Sequence, residues 1–207
     1  MQRRYFISTL AAALTVLATA APGMAAPAYN GIDVTGAAIG PDYQLFYADG
    51  KPASLRDFKG KYVMLFFGFT QCPDVCPTAL SRAVEIKRLL GADGNKLQIV
   101  FATVDPERDT GPLLAEYMRA FDPTFVSVRG NLAQTAKAAA DFKIFYRKVP
   151  SGSSYTMDHT AITYVFDADS KIRLAFKHDQ SAQQCADDLR KLMAPARPTS
   201  FLKGLFQ

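Results

Sequence analysis

The chain has 207 residues, of which 49% are hydrophobic and 21% charged, and its formal net charge at pH 7 is +5. A chain of this length and composition can bury one sizeable core, so a single globular domain is expected. The positive excess is modest and scattered, with no cluster of lysine and arginine among aromatic residues, and this excludes nucleic acid as an expected partner.

Residues 1–26 have the pattern of an export signal. Arg3 and Arg4 precede an uncharged run over 5–21, and small residues at 23–26 offer a cleavage site. We therefore expect a cleaved signal and a periplasmic product. The alternative is an inner-membrane anchor facing the periplasm. The arginine pair suits either the general secretory or the twin-arginine route, and the pattern leaves that choice open.

The remaining chain divides into three parts. Residues 27–40 are rich in small residues and predict a flexible N-terminal segment, residues 41–194 form the domain, and residues 195–207 are a C-terminal tail. At the start of the domain, residues 44–47 and the following Asp49-Gly50 turn predict a small N-terminal hairpin.

The first half of the domain predicts a parallel crossover. The apolar run 62–69 is typical of a strand covered on both faces, and residues 97–104 form a second such run. Between them, apolar residues recur at helical spacing up to Gly91, where the helix is expected to stop. Strand, helix and strand together have the length of one right-handed crossover.

The second half predicts two helices, a hairpin and a last helix. The helices cover 113–121 and 132–142 around a short strand, 125–128, and the hairpin and last helix follow. The hairpin strands span 161–167 and 171–176, and the last helix spans 181–193. An irregular loop is expected over 149–157. This order predicts an α/β fold of the thioredoxin type, with a loop inserted before the C-terminal β-hairpin.

Cys72 and Cys76 lie between a buried strand and the start of a helix. Thiols four positions apart are within reach of a shared metal ion or of a disulfide. The helix N-terminus favours the reactive thiolate, whereas the negative charge of Asp74 opposes it. A stapling disulfide or two inert thiols are the alternative interpretation. Cys185 falls within the last helix pattern and is expected to be a buried, free thiol.

Three segments carry a resemblance to a known family. Residues 68–80, with the sequence GFTQCPDVCPTAL, resemble the hallmark motif of the Sco/SenC copper proteins. Residues 103–110, TVDPERDT, and residues 155–160, YTMDHT, are similar to the second and third motifs of that family. The three segments occur in the family's order and are spread over most of the chain that follows the signal.

The resemblance implies a thioredoxin fold and a copper site formed by Cys72, Cys76 and His159. Two thiolates suit Cu(I), and an added imidazole also holds Cu(II), which agrees with this ligand set. A structural zinc site nearly always uses four ligands, and only three are visible. The implied partners are the copper-A subunit of cytochrome c oxidase, another periplasmic copper chaperone and a thiol reductant.

Three neighbouring features have plainer interpretations. Asp158 either orients His159 or completes the Cu(II) ligands, or is simply a charge at the end of a loop. His178 is expected at a solvated strand end. Residues 105–109 are expected to shape a turn and cap the following helix, with a partner-binding surface as the alternative.

Two classes of function follow. The first is a metallochaperone that passes periplasmic copper to the binuclear copper-A centre of the oxidase. The second is a thiol-disulfide oxidoreductase in which Cys72 and Cys76 are the catalytic redox pair and reduce client cysteines. General thioredoxin-like reductases have two residues between their cysteines, whereas this chain has three, and this favours the copper function.

Overall fold

A computed structural model describes residues 28–195, and these form one α/β domain. The strands are β1 (Ile32–Asp33), β2 (Leu45–Tyr47), β3 (Pro52–Ala53), β4 (Tyr62–Gly68), β5 (Leu97–Thr103), β6 (Val126–Arg129), β7 (Tyr146–Ser151), β8 (Ser154–His159), β9 (Ile162–Phe166) and β10 (Ile172–Lys177). The helices are α1 (Val75–Leu90), α2 (Gly111–Arg119), α3 (Leu132–Asp141) and α4 (Ala182–Met193). Two short 3-10 segments cover Leu55–Phe58 and Gly91–Lys96.

Eight strands form one sheet in the order β1-β10-β9-β4-β5-β6-β2-β3. β4 and β5 are its central parallel pair, and every residue of β5 is buried. Their register places Gly68 opposite Thr103, so the loops that leave these two strands begin side by side. The predicted crossover and the predicted hairpin of β2 and β3 are both confirmed.

Aromatic side chains fill the core on the two faces of the central strands. Successive residues of a strand point to opposite faces, so Phe66 and Phe67 are on different sides of β4. The ring of Phe67 packs 5.3 Å from that of Phe142, which follows α3. The ring of Phe66 packs 6.2 Å from that of Phe101 in β5, on the face that also carries Cys76 beside Gly68.

The expectation of an irregular loop over 149–157 is wrong, because these residues belong to a β-hairpin. β7 and β8 pair as a separate two-stranded sheet, from Tyr146 opposite His159 to Ser151 opposite Ser154. Pro150 and Gly152 suggest a loop in the sequence. Proline is tolerated in edge strands, however, and Gly152 has a φ of +59°, which suits the hairpin turn.

Residues 27–40 are expected to be flexible, but the described part, from residue 28, docks onto the domain. β1 pairs with β10 at the sheet edge. The fully buried carboxylate of Asp188 accepts hydrogen bonds from the backbone N–H groups of Asn30 and Gly31, at 3.0 and 2.8 Å. A buried carboxylate needs such donors, and this explains why the segment is held.

Two predicted segments lie outside the described residues: the export signal at 1–26 and, apart from Pro195, the tail at 195–207. Within residues 28–195, no helix is both long enough and apolar enough to span a membrane.

Candidate metal centre

Cys72 lies in the cysteine loop, residues 69–74, and Cys76 lies in the first turn of α1. The first N–H groups of a helix have no partner within the helix. One of them, the N–H of Cys76, points at the sulfur of Cys72 at 3.4 Å. The side chain of Asp74 does not cap the helix, so the Cys72 sulfur takes the position of a capping acceptor.

Gly68 allows the close approach of Cys76 to the central strand. A Cβ atom at residue 68 would lie 2.8 Å from the Sγ atom of Cys76 and 2.8 Å from the ring of Phe101. Those distances are too short for any side chain. The glycine therefore lets a fully buried thiol rest directly against the end of β4.

His159 is the last residue of β8, and its ring packs edge-on against two phenylalanines. The ring centroids lie 5.9 Å from Phe66 and 5.8 Å from Phe69. The Nδ1 atom is 3.1 Å from the carbonyl oxygen of Thr160, which can only accept a hydrogen bond, so Nδ1 is the donor in this contact. The Nε2 atom then faces the Sγ atom of Cys76 at 3.6 Å.

Asp158 does not orient this ring. Its carboxylate accepts hydrogen bonds from Nε and Nη2 of Arg147, at 3.0 and 2.9 Å, across the hairpin. Both side chains of this pair are about half exposed or more. Asp158 is thus a plain charge, although it lies in β8 and not at the end of a loop as expected, and the backbone of Thr160 supplies the acceptor for the histidine.

The three residues singled out by the sequence thus come together in the fold. One ligand atom from each of Cys72, Cys76 and His159 lies within 4.8 Å of the others. Among residues 28–195, no other group of three or more histidine, cysteine or acidic side chains has such an arrangement. The chemistry of this set, two sulfurs and one imidazole nitrogen, suits a soft or borderline metal ion.

The two thiols differ in their ionisation. A hydrogen bond from the Cys76 thiol lowers the pKa of Cys72 to about 3, and His159 and the backbone N–H groups of Asp74 and Cys76 add to this effect. The same bond, together with burial, raises the pKa of Cys76. Cys72, the more accessible of the two, is therefore the thiolate at neutral pH.

A buried acid ties the cysteine loop to β5. Asp109, fully buried, accepts hydrogen bonds from the N–H of Thr70, at 3.1 Å, and from the hydroxyls of Thr70 and Thr103. Its desolvation raises its pKa. Residues 105–109 were expected to cap the next helix, but Thr110 is the cap of α2. The sequence signal for the buried role is weak, because three acids, Asp105, Glu107 and Asp109, follow β5 and the pattern does not distinguish them.

Two other candidates lie apart from the site. Cys185 is buried in α4 and makes no disulfide, as expected, and burial raises its pKa to about 11. His178 follows β10 but is half-buried rather than solvated, and Arg82 donates a hydrogen bond to its carbonyl oxygen.

Comparison with known proteins gives a consistent result. Residues 33–194 match the family model described as SCO1/SenC. An SCO2-like protein of Rickettsia felis is 36% identical over 155 residues, which are 73% of this chain and 76% of the relative. The human protein described as "Protein SCO2 homolog, mitochondrial" is 34% identical over 166 residues, which are 78% of this chain and 62% of the relative.

A solved structure extends the comparison to the fold. The structure of Bradyrhizobium japonicum ScoI with copper bound has 39% sequence identity and a TM-score of 0.68, over 74% of this chain and 99% of that one. The resemblance drawn from the three motifs is thereby confirmed, as is the thioredoxin-like fold.

Proposed function

The chain belongs to the SCO1/SenC family, and we propose that it is a copper metallochaperone whose ligands are Cys72, Cys76 and His159. The observation that carries this proposal is the distance between the three ligand atoms, all within 4.8 Å of one another. The copper-bound state of the similar ScoI protein supports the choice of metal.

The chemistry of the ligands suits a protein that passes copper on. Two sulfur ligands bind Cu(I), and the Nε2 atom of His159 adds a ligand that Cu(II) prefers. Cys72 is only partly buried, whereas Cys76 is fully buried, so copper enters and leaves on the Cys72 side. Three protein ligands leave a coordination position for a ligand from the receiving protein.

The destination follows from the family resemblance. We propose that copper is received from another periplasmic copper chaperone and delivered to the copper-A subunit of cytochrome c oxidase. The N-terminal pattern supports export by a cleaved signal, with an inner-membrane anchor as the alternative. Cell fractionation and N-terminal sequencing test this step. A product that starts near residue 26 or 27 is expected, and an intact chain in the membrane fraction would support the anchor.

A second function, thiol-disulfide exchange, is favoured by the ionisation of Cys72. In this reaction the Cys72 thiolate attacks a client disulfide and forms a mixed disulfide, releasing one client thiol. Cys76 then attacks Cys72, releasing the second client thiol and leaving a Cys72–Cys76 disulfide. A thiol reductant restores the dithiol. The two functions are compatible, because the cysteines of a copper-A site must be reduced before copper enters.

A copper-loading experiment tests the main proposal. The purified protein is reduced without oxygen, loaded with Cu(I) or Cu(II), and assayed for copper per chain and for transfer to a copper-A apo-domain. We expect one copper per chain, and none in the double variant Cys72→Ala, Cys76→Ala. His159→Ala should weaken Cu(II) more than Cu(I).

Cys185→Ala is the matched control, because it also removes a buried thiol but lies in α4. It should keep one copper per chain. Equal copper stoichiometry in the double variant and the wild type would contradict the proposed ligands.

A further inference from the structure

Arg108 lies where the two parts of the candidate copper site meet. Its Nη1 atom donates to the side-chain carbonyl of Gln71, at 3.0 Å, and to the backbone carbonyl of Tyr155, at 2.7 Å. Its Nε atom donates to the carboxylate of Asp105. Gln71 directly precedes Cys72, and Tyr155 lies four residues before His159 in β8. One guanidinium thus contacts both ligand-bearing segments.

These contacts are partly shielded from water. The Arg108 side chain is 16% exposed and that of Asp105 only 1%. The guanidinium also stacks on the ring of Tyr155, 3.7 Å from its centroid, and the Tyr155 hydroxyl donates to Asp105 at 2.9 Å. A planar guanidinium can make several directed hydrogen bonds and stack at the same time. We call Arg108 with Gln71, Asp105 and Tyr155 the arginine junction.

The hairpin of β7 and β8 depends on such contacts because it is not part of the main sheet. It forms its own two-stranded sheet, and most of its residues are exposed or half-buried. An isolated two-stranded hairpin is marginally stable in water. Its other described links to the body include Met157, which is buried in the core, the packing of the His159 ring on Phe66 and Phe69, and the Lys148–Glu107 ion pair, which is about half exposed.

We propose that Arg108 is a positioning residue that holds His159 against the two cysteines. The arginine junction thereby sets whether the imidazole joins the thiolates as the third copper ligand. This inference rests on the proposed copper function and deepens it. Its consequence is selective, since Cu(II) needs the imidazole whereas Cu(I) is held by the thiolates.

The test compares the full-length variants Arg108→Ala and Arg108→Lys with Arg147→Ala. Arg147 is the matched control, because it is an arginine of the same hairpin whose ion pair with Asp158 faces solvent. Cu(I) affinity is measured by competition with a chelator. Cu(II) affinity is measured in the same way, and electron paramagnetic resonance of the Cu(II) form detects coupling to the imidazole nitrogen.

We expect Arg108→Ala to lose Cu(II) affinity by about 10- to 100-fold and to lose most of the nitrogen coupling, with Cu(I) affinity nearly unchanged. Arg108→Lys should be intermediate, because a single ammonium group cannot reproduce the fork and the stacking. Arg147→Ala should match the wild type. If Arg108→Ala does not fold, Arg108→Lys carries the test.

Two outcomes overturn the inference: wild-type Cu(II) affinity and nitrogen coupling in both Arg108 variants, or equal losses of Cu(I) and Cu(II) affinity. The second outcome would mean that Arg108 serves only the fold. His159→Ala, measured in parallel, separates this inference from the proposed function. If His159→Ala leaves Cu(II) binding unchanged, the ligand set itself is wrong.

Discussion

The two segments that form the candidate copper site differ in how the fold supports them. The cysteine loop leaves the central strand of an eight-stranded sheet and is tied to β5 through the fully buried Asp109. The histidine hairpin, β7 and β8, is a separate two-stranded sheet joined to the cysteine loop through Arg108. The central sheet therefore fixes the thiolates, whereas the imidazole comes from a separate hairpin that rests on the core through Met157 and the His159 ring.

One site thus combines a part built on the central sheet with a part built on a separate hairpin. Segments with few buried apolar contacts open locally at a lower free energy than core strands do. The histidine hairpin, in which only Met157 is buried, is therefore expected to open at a lower free energy than the central strands. A metal held by two firmly placed sulfurs and one less firmly placed nitrogen would suit transfer, because one ligand can leave before the others.

Removal of Asp109, the buried acid that holds the cysteine loop, should be the most damaging of the changes considered. Asp109→Ala leaves the hydroxyl and N–H donors of Thr70 and the hydroxyl of Thr103 without their acceptor. We expect a loss of about 3 kcal/mol in the free energy of unfolding, measured by urea denaturation. Asp158→Ala, on the exposed face of the hairpin, is the control and should cost about 0.5 kcal/mol or less. Equal losses would contradict the difference in support.

The ionisation of the thiols gives a pH test within the cysteine loop. Because the pKa of Cys72 is lowered to about 3, its thiolate persists down to acid pH in the reduced, copper-free protein. Its alkylation rate should be flat between about pH 5 and 7, where an unperturbed thiol changes about tenfold per unit. Mass mapping of Cys72 against the buried Cys185 measures this. A tenfold rise per unit at Cys72 would refute the assignment.

The lowered pKa of Cys72 also makes the stability of the reduced protein depend on pH. The pKa of Cys72 is lower in the folded state than in the unfolded state, so its contribution is present above the unfolded value and is lost as pH falls toward 3. The stability of the reduced protein should therefore rise with pH across the acid range.

A substitution that fills the space beside Cys76 should lower the unfolding free energy less than Asp109→Ala does. Its effect on the metal site should come through the sulfur ligands alone. In Gly68→Ala, the added Cβ would lie 2.8 Å from the Cys76 sulfur and from Phe101. We expect a loss of about 2 kcal/mol in unfolding free energy from overpacking. Affinity for Cu(I) and Cu(II) should fall together, since a sulfur common to both sites is displaced. Chelator competition in both oxidation states measures this, and a loss confined to Cu(II) would contradict it.

The smallest effect is expected for a substitution in the histidine hairpin. Tyr155→Phe removes the hydrogen bond to Asp105 but keeps the ring on which Arg108 stacks. We expect a loss of about 1 kcal/mol in stability, with a modest loss of Cu(II) affinity and unchanged Cu(I) affinity.

Tyr47→Phe is the control for this change. It also removes a tyrosine hydrogen bond to an aspartate, Asp57 at 2.8 Å, but does so in β2. It should cost similar stability without affecting either copper state. A Cu(II) loss as large in Tyr47→Phe as in Tyr155→Phe would show that the effect is one of general stability.

Much of the fold and of the site could be predicted from local patterns. Continuous apolar runs identified β4 and β5, helical spacing identified α1, and three motifs identified the family and the residues Cys72, Cys76 and His159. These signals lie within short stretches of chain, where the spacing of residues and the polarity of each position are directly visible. The spacing of the cysteines allowed their sulfurs to meet, although Cys72 lies in the loop before α1 and not on a helical turn.

The contacts that hold the site together join residues far apart in the sequence, so they are visible only in the tertiary structure. Asp109 meets Thr70 across 39 positions and Arg108 meets Tyr155 across 47, and such contacts depend on the parallel register of β4 and β5 and on the docking of the hairpin. The sequence interpretation of residues 149–157 as a loop failed for the same reason. No residue of β7 is buried and only Met157 of β8 is, so burial marks these strands weakly in the sequence and their pairing with each other gives them their structure.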